Sequence, residues 1–254
     1  MGLDLQKASI SKRLAAFMID FFIFILLFAL IASLFSTIFG YGESIKAFTK
    51  HYEKYEEKYD IDSNISREEY DKLPDDVKQR YEAATKELEE DIEEVTALYL
   101  EIATKTFLVI AVSLFFTFII TELAVPLFLK NGQTVGKKLF SIGLMRVDNI
   151  KVTHFQMFVR AIVGKFIIET LIPVMLIILE FFGVLGGIGY IVVALYIVVQ
   201  LIMFFVTKNK YALHDALAVT VAVDMQTQMI FDSSEELAAY KAKLHEEEVQ
   251  NSPY

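Results

Sequence analysis

The segment KRLAAFMIDFFIF, from Lys12 to Phe24, places charged side chains at the start of an otherwise apolar stretch. Arg13 lies near its beginning, and Asp20 follows about two helical turns later. A charged side chain at the bilayer centre costs about 2.5–3.5 kcal/mol on insertion scales, so such residues generally face a bundle interior or a cavity. We therefore interpret the segment as the start of a membrane helix that contributes to a polar cluster at the cytoplasmic end of a bundle.

The composition indicates an integral membrane protein. The 254 residues are 55% hydrophobic and 22% charged, and the mean hydropathy is +0.45. A spanning helix needs about 20 largely apolar residues, and four stretches approach or exceed that length. They are residues 14–39, 104–129, 161–182 and 184–206. We predict an all-α fold built as a four-helix transmembrane bundle, in which the first stretch is too long for a removable signal peptide.

The positions of Lys and Arg predict the orientation of this bundle, because cytoplasmic loops carry an excess of basic residues. Basic residues cluster before the first stretch, between the second and third, and after the fourth, whereas the turn at 180–190 has none. They are Lys7, Lys12 and Arg13; Lys130, Lys137, Lys138, Arg146, Lys151 and Arg160; and Lys208 and Lys210. We therefore predict a multi-pass protein of the cell membrane with both termini cytoplasmic and residues 40–101 outside.

The outer segment is acidic and has a helical pattern. Residues 40–101 contain 19 acidic and 9 basic residues, a net charge of −10 against −9 for the whole chain. Apolar and tyrosine residues recur every three or four positions on both sides of a polar break, where Ser66 and Glu69 have capping-box spacing. This pattern predicts an extracytoplasmic helical hairpin over residues 41–101. The alternative is a solvated charged spacer with frayed helices, since large aliphatic side chains are few.

Two inner segments predict a small cytoplasmic β element. MRVDNIKVT, from Met145 to Thr153, has β-branched residues on both sides of Asp148-Asn149, which is a hairpin signal. Valine alternates at positions 219, 221 and 223, and we expect a short strand there to join the hairpin. The chain then divides into four parts. They are residues 1–40, with the first transmembrane helix; 41–101, the hairpin; 102–224, with the other three transmembrane helices, the polar loop of residues 131–138 (the inner loop) and the β element; and 225–254, an acidic cytoplasmic tail.

Polar residues within the predicted helices gather towards the cytoplasmic side. Asp20, Glu122, Glu169 and Gln200 come from four different helices, and each lies within roughly 10–15 Å of the inner surface. We interpret Asp20, Glu122 and Glu169 as ligands for an ion or another small molecule. The alternative is a structural network of ion pairs that fixes the register of the helices.

Arg13 and Asp20 share a helix face but lie about 10.5 Å apart along the axis, too far for a direct ion pair. Because an unpaired charge is costly in a low-dielectric environment, each needs a partner from another segment. The candidates are Asp215 for Arg13, and Lys165, Arg160 or a bound cation for Asp20 or Glu122.

These motifs resemble those of the RDD family of membrane proteins, named for an Arg and two Asp. The family has an Arg and an Asp in its first helix, a Gly-Gln-Thr-x-Gly-Lys-Lys loop, a Leu-Arg-Val strand, an Arg that opens the next helix, and a terminal His-Asp-x-Leu-Ala. The matching residues are Arg13 and Asp20; Gly132, Gln133, Thr134, Gly136, Lys137 and Lys138; Arg146 and Val147, with Met145 in place of the Leu; Arg160; and His214, Asp215, Leu217 and Ala218. The resemblance leaves out residues 41–101 and the tail, and it implies a multi-helix membrane protein with a transport role.

Other kinds of site are excluded by missing residues. GxSxG and HExxH motifs are absent, and so is cysteine. The Gly132–Lys138 loop lacks the spacing and the Ser or Thr of a phosphate-binding loop. Ile65 replaces the glycine that a calcium loop would require after Asp60, Asp62 and Asn64. We expect no enzymatic activity, no cofactor, no metal site and no nucleic-acid partner.

Three functions remain, the third of which is lipid handling through the basic inner loop. In the first, the protein transports a small cation in exchange for a proton, using carboxylates of the polar cluster. Asp20, Glu122 and Glu169 would bind the ion, and Arg13, His214 and Asp215 would gate or orient the site. In the second, the protein is a membrane adaptor that does not transport, and the acidic outer hairpin docks a protein partner.

Two further partners are expected. The inner loop carries Lys137 and Lys138, which we expect to meet anionic membrane lipids, at roughly 1 kcal/mol per basic residue. Four helices make a thin bundle, so we also predict a homo-oligomer.

Overall fold

The computed structural model describes residues 4–129, 131–206 and 212–251. Three of the basic residues that predict the orientation, Lys130, Lys208 and Lys210, lie outside these ranges, and the orientation stays a prediction. The chain separates into two compact units. They are a hairpin unit, Ala32–Val112, and a core unit, Met1–Ile31 with Ser113–Tyr254.

Within the described ranges, three helices are long and apolar enough to cross a membrane: Ile10–Ile38 (α1), Ile92–Leu129 and His154–Phe181. A fourth apolar helix, Ile188–Val206 (α10), is not among these three. The mostly helical membrane character is confirmed, and the fourth span stays a prediction. The second and third spans each contain a stretch of π-helix. Their parts are Ile92–Phe118 (α5), Ile119–Ala124 (π1) and Val125–Leu129 (α6), then His154–Phe158 (α8), Val159–Leu171 (π2) and Ile172–Phe181 (α9).

The hairpin unit contains helices on both sides of its polar break: Tyr41–Tyr59 (α2), Arg67–Asp71 (α3) and Asp75–Glu90 (α4), followed by α5. Ser44 bonds to Glu101 at 2.7 Å and Tyr59 to Glu87 at 2.5 Å, so the two arms run antiparallel. The expected capping box forms, since Ser66 Oγ accepts from the Glu69 N–H at 3.3 Å and the Glu69 carboxylate accepts from the Ser66 N–H at 2.8 Å. Of the two alternatives, the segment therefore adopts the helical hairpin.

A two-stranded antiparallel sheet lies at the centre of the core unit. Ile142–Arg146 (β1) pairs with Thr220–Asp224 (β2), with Ile142 opposite Asp224 and Arg146 opposite Thr220. Side chains from both strands are almost completely buried, so the sheet is a packing centre. The remaining helices of this unit are the short helices Val135–Leu139 (α7) and Leu213–Ala218 (α11) and the longer tail helix Ser234–Asn251 (α12).

The expected hairpin forms as a turn without a second strand. Asn149 adopts a φ of +67°, and the Arg146 N–H donates to the Ile150 carbonyl at 2.8 Å. The returning chain makes only isolated bridges, Met145 with Lys151 and Ile150 with Phe231. It then leaves the sheet because Thr153 caps α8 through a reciprocal capping box, so β2 supplies the partner strand.

Candidate functional site

A cavity of about 650 Å³ lies within the core unit. Its wall combines aromatic rings with four cationic and four anionic side chains. The charged residues are Arg13, Lys137, Arg160, Lys165, Asp20, Glu122, Glu169 and Asp215, and the rings belong to Phe17, Phe21, Phe24, Phe118, Tyr196 and His214. The structure thus places every predicted ion-binding, gating and orienting residue around one space, which we call the polar cavity.

Asp20 anchors the inner loop to α1. Its carboxylate accepts hydrogen bonds from the Thr134 hydroxyl and from the Gly136 N–H, the latter at 2.7 Å. Gly136 packs so closely on α1 that a Cβ built on it would lie 2.2 Å from the Ala16 carbonyl oxygen. Among the described residues, Asp20 is therefore hydrogen-bonded to this loop, whereas the sequence suggested Lys165 or Arg160 as its protein partner.

Arg160 and Asp215 form a buried ion pair. Arg160 Nε donates to Asp215 Oδ1 at 2.8 Å, and the two side chains are 6% and 3% exposed. Burial alone would raise the pKa of Asp215, but the Arg160 guanidinium outweighs it and holds that pKa below its usual range. The expected partner of Asp215 was Arg13, which lines the cavity, whereas Arg160 makes the direct contact.

Glu169 and His214 join π2 to α11. One Glu169 oxygen accepts from the His214 N–H at 2.8 Å, and the other lies 2.7 Å from His214 Nδ1. Burial lowers the pKa of His214, so the neutral ring donates its Nδ1 proton to the carboxylate. Gln200 adds α10 to this group, since it contacts the Tyr196 hydroxyl at 2.7 Å and the Leu213 N–H at 3.3 Å.

Glu122 and Lys165 form a further pair, with Lys165 Nζ 2.6 Å from Glu122 Oε1, as the sequence analysis proposed. Two further polar atoms of the cavity differ from those described so far. Glu122 Oε2 and Lys137 Nζ are buried, and neither has a hydrogen-bond partner within the described part of the chain. Burial, together with repulsion from Arg160 and Lys165, lowers the pKa of Lys137 to about 7. The amine is therefore close to half neutral at pH 7.

The π-helical stretches align these charged side chains. Glu122 lies in π1, and Arg160, Lys165 and Glu169 lie in π2. In an α-helix, residues five apart would point about 140° away from each other. The i→i+5 hydrogen bonds of a π-helix bring Arg160 and Lys165 one turn apart, so both reach the cavity.

The other residues of the inner loop stabilise the conformation of the loop itself. Gly132 has a φ of +62°, and the Gln133 side chain donates to the Ile142 carbonyl at 2.9 Å. Lys138 is exposed, but Lys137 Nζ is buried. The loop folds back onto α1 and turns the Lys137 side chain inwards, and the contact of this loop with membrane lipids stays a prediction.

Two features of the cavity were missed by sequence reasoning. Tyr196 lies four residues before Gln200, and this spacing, which puts both on one helix face, could have identified it. The burial of Lys137 has no such signal, since the next residue is also lysine. In the described ranges, no three His, Cys, Asp or Glu side chains are grouped to hold a metal ion.

A family model agrees with the arrangement of these motifs. The model of the RDD family matches residues 7–219, which include every charged residue of the polar cavity. No curated protein and no solved structure matches the chain.

Proposed function

The chain belongs to the RDD family, and from this premise we propose that it has a transport role and exchanges a small cation for a proton through the polar cavity. The observation that carries this proposal is Glu122 Oε2, a buried carboxylate oxygen without a hydrogen-bond partner among the described residues. An unsatisfied carboxylate oxygen in a low-dielectric space is a position at which a cation binds, and a proton would compete with that cation for the same carboxylate.

The other charged groups have supporting roles in this proposal. Asp20 and Glu169 contribute negative charge to the cavity, while their direct hydrogen bonds hold the inner loop and α11. Arg13, His214 and Asp215 orient the site, and the buried Arg160–Asp215 pair sets the position of α11 against π2.

Cation flux in proteoliposomes tests the proposal. We expect Glu122→Gln to reduce cation-driven proton movement at least tenfold, because the amide carries no charge to exchange. Asp20→Asn should reduce it less, since the amide oxygen still accepts from the inner loop. Glu235→Gln, in the exposed tail helix, is the matched control and should leave flux unchanged. Equal flux in Glu122→Gln and wild-type protein, with normal folding, would remove the cavity from the mechanism.

The adaptor hypothesis rests on the charge of −10 in residues 40–101. Here the hairpin docks a basic partner, and the buried ion pairs only hold the core unit together. Deleting residues 44–98 and joining the ends with a short linker separates the two hypotheses. Activity that survives the deletion supports transport through the polar cavity. Activity that disappears while the shortened protein still inserts into the membrane supports docking by the hairpin.

A further inference from the structure

Resting on the proposed exchange function, we infer that the cation accepted by the polar cavity is organic. It is a protonated or quaternary amine with an apolar body, and its charge lies at Glu122 Oε2. Size is the first argument. About 650 Å³ falls within the 300–1,000 Å³ that pockets for small organic ligands occupy. One water takes about 30 Å³ in the liquid, so a bare ion would leave most of this space unfilled.

The aromatic wall is the second argument. Phe17 and Phe21 stack with ring centroids 5.7 Å apart, and Phe24 meets Phe118 edge-on at 4.9 Å. Aromatic faces carry negative electrostatic potential, so they attract cations, quaternary ammonium groups in particular, and disfavour anions. Phe17 is 57% exposed, so the wall continues onto the apolar surface of α1, where an amphiphilic ligand could enter from the lipid.

The charge balance is the third argument. An unpartnered ammonium on Lys137 would instead favour an anion, but this amine loses its proton near neutral pH and then needs no counter-ion. With Lys137 neutral, the formal charge of the cavity is −1, which matches a monovalent cation. The titratable groups that line the cavity together with Lys137 are Arg13 and Asp20 from α1, Glu122 from π1, Arg160, Lys165 and Glu169 from π2, Tyr196 from α10, and His214 and Asp215 from α11.

Binding of two ions of equal shape and opposite charge provides the test. The purified full-length protein in mild detergent is titrated at pH 7.5 with tetraphenylphosphonium or with tetraphenylborate. We expect tetraphenylphosphonium to bind wild-type protein at least tenfold more tightly than Glu122→Gln. Tetraphenylborate should bind both equally weakly, and comparing variants in one detergent cancels partitioning into micelles.

Further variants separate the site from the fold. If Glu122→Gln does not fold, the double variant Glu122→Gln/Lys165→Met removes both members of the pair and leaves no buried lone charge. Phe21→Leu should weaken tetraphenylphosphonium binding severalfold. Phe22→Leu is its matched control, because this neighbouring ring on α1 is exposed and does not line the cavity.

The outcomes distinguish this inference from the proposed function. Tetraphenylphosphonium binding that depends on Glu122, without flux in proteoliposomes, supports the ligand class and contradicts transport. Proton-coupled flux of Na⁺ or K⁺ without tetraphenylphosphonium binding supports transport and overturns the organic cation. Tetraphenylborate binding that is lost in Lys137→Met would also overturn it, since the site would then accept anions.

Discussion

At the scale of single residues, Gly136 is the point of closest approach between the inner loop and α1. An added methyl group would meet the Ala16 carbonyl oxygen, a backbone atom that cannot rotate away. Moving the loop to make room would also break the bond between the Gly136 N–H and Asp20. Position 136 therefore requires a glycine because there is no space for a side chain, and position 134 requires a threonine because its hydroxyl donates to Asp20.

We predict that Gly136→Ala destabilises the protein by about 1–3 kcal/mol, the range for overpacked sites. Thermal unfolding in detergent measures the effect. Gly42→Ala is the control, because a Cβ at Gly42 has no neighbour within 4 Å among the described residues. Alanine favours a helix over glycine by up to about 1 kcal/mol, so this control should be neutral or stabilising. A harmless Gly136→Ala would show that the loop does not dock on α1.

Lys137 makes stability depend on pH. Its folded-state pKa is about 7, below the ordinary lysine value, so between these values the unfolded state binds more protons and stability rises with pH. Below pH 7 the amine is protonated in both states, and its destabilising effect is complete.

We therefore expect Lys137→Met to be more stable than wild type at pH 7, and this difference to shrink by about 2 kcal/mol between pH 7 and pH 9. Thermal unfolding of both proteins in detergent at pH 7 and at pH 9 measures this difference in stability. Lys138→Met, at the exposed neighbouring position, should show no such trend. A difference between Lys137→Met and wild type that does not change with pH would mean that Lys137 is solvated.

At the scale of secondary structure, the Arg160–Asp215 pair joins π2 to α11, directly before β2 begins. The pair connects the third span to the sheet, so its loss affects the whole core unit. Removing one member of a buried pair leaves the other charge without compensation, whereas removing both does not.

We predict that Asp215→Asn costs about 3–5 kcal/mol and that the double variant Arg160→Met/Asp215→Leu costs much less. Chemical denaturation of the three proteins in detergent gives the comparison. Asp148→Asn breaks the exposed pair with Arg146 and should cost less than about 1 kcal/mol. If the double variant is as unstable as Asp215→Asn, the pair stabilises the fold through more than the neutralisation of each buried charge by the other.

At the scale of the whole molecule, orientation and assembly can be tested together with function. The chain has no cysteine, so single-cysteine variants report one position each. Glu68 and Lys243 are both exposed, in the hairpin unit and in the tail helix.

We expect a membrane-impermeant maleimide to label Glu68→Cys but not Lys243→Cys in intact cells, and both after permeabilisation, because basic loops remain cytoplasmic. Labelling of Lys243→Cys in intact cells would place the C-terminus outside. The homo-oligomer is a separate proposal, and a purely monomeric mass in mild detergent would contradict it.

The sequence by itself determined which helices are apolar, which segment is acidic and which charged residues lie at one end of the spans. These features follow from local composition and period, so no tertiary contact is needed to find them. The Ser66–Glu69 and Thr153–Gln156 caps are local in the same way, and both form.

Only the tertiary structure decided which charges pair. Asp20 bonds to a loop more than a hundred positions away, and Asp215 bonds to Arg160 where Arg13 was expected. The π-helical stretches turn Arg160 and Lys165 towards one cavity, which an assumption of regular α-helix cannot anticipate. Partner choice depends on distances between segments remote in sequence, and burial of Lys137 depends on the path of a loop, so neither is encoded in any short stretch of residues.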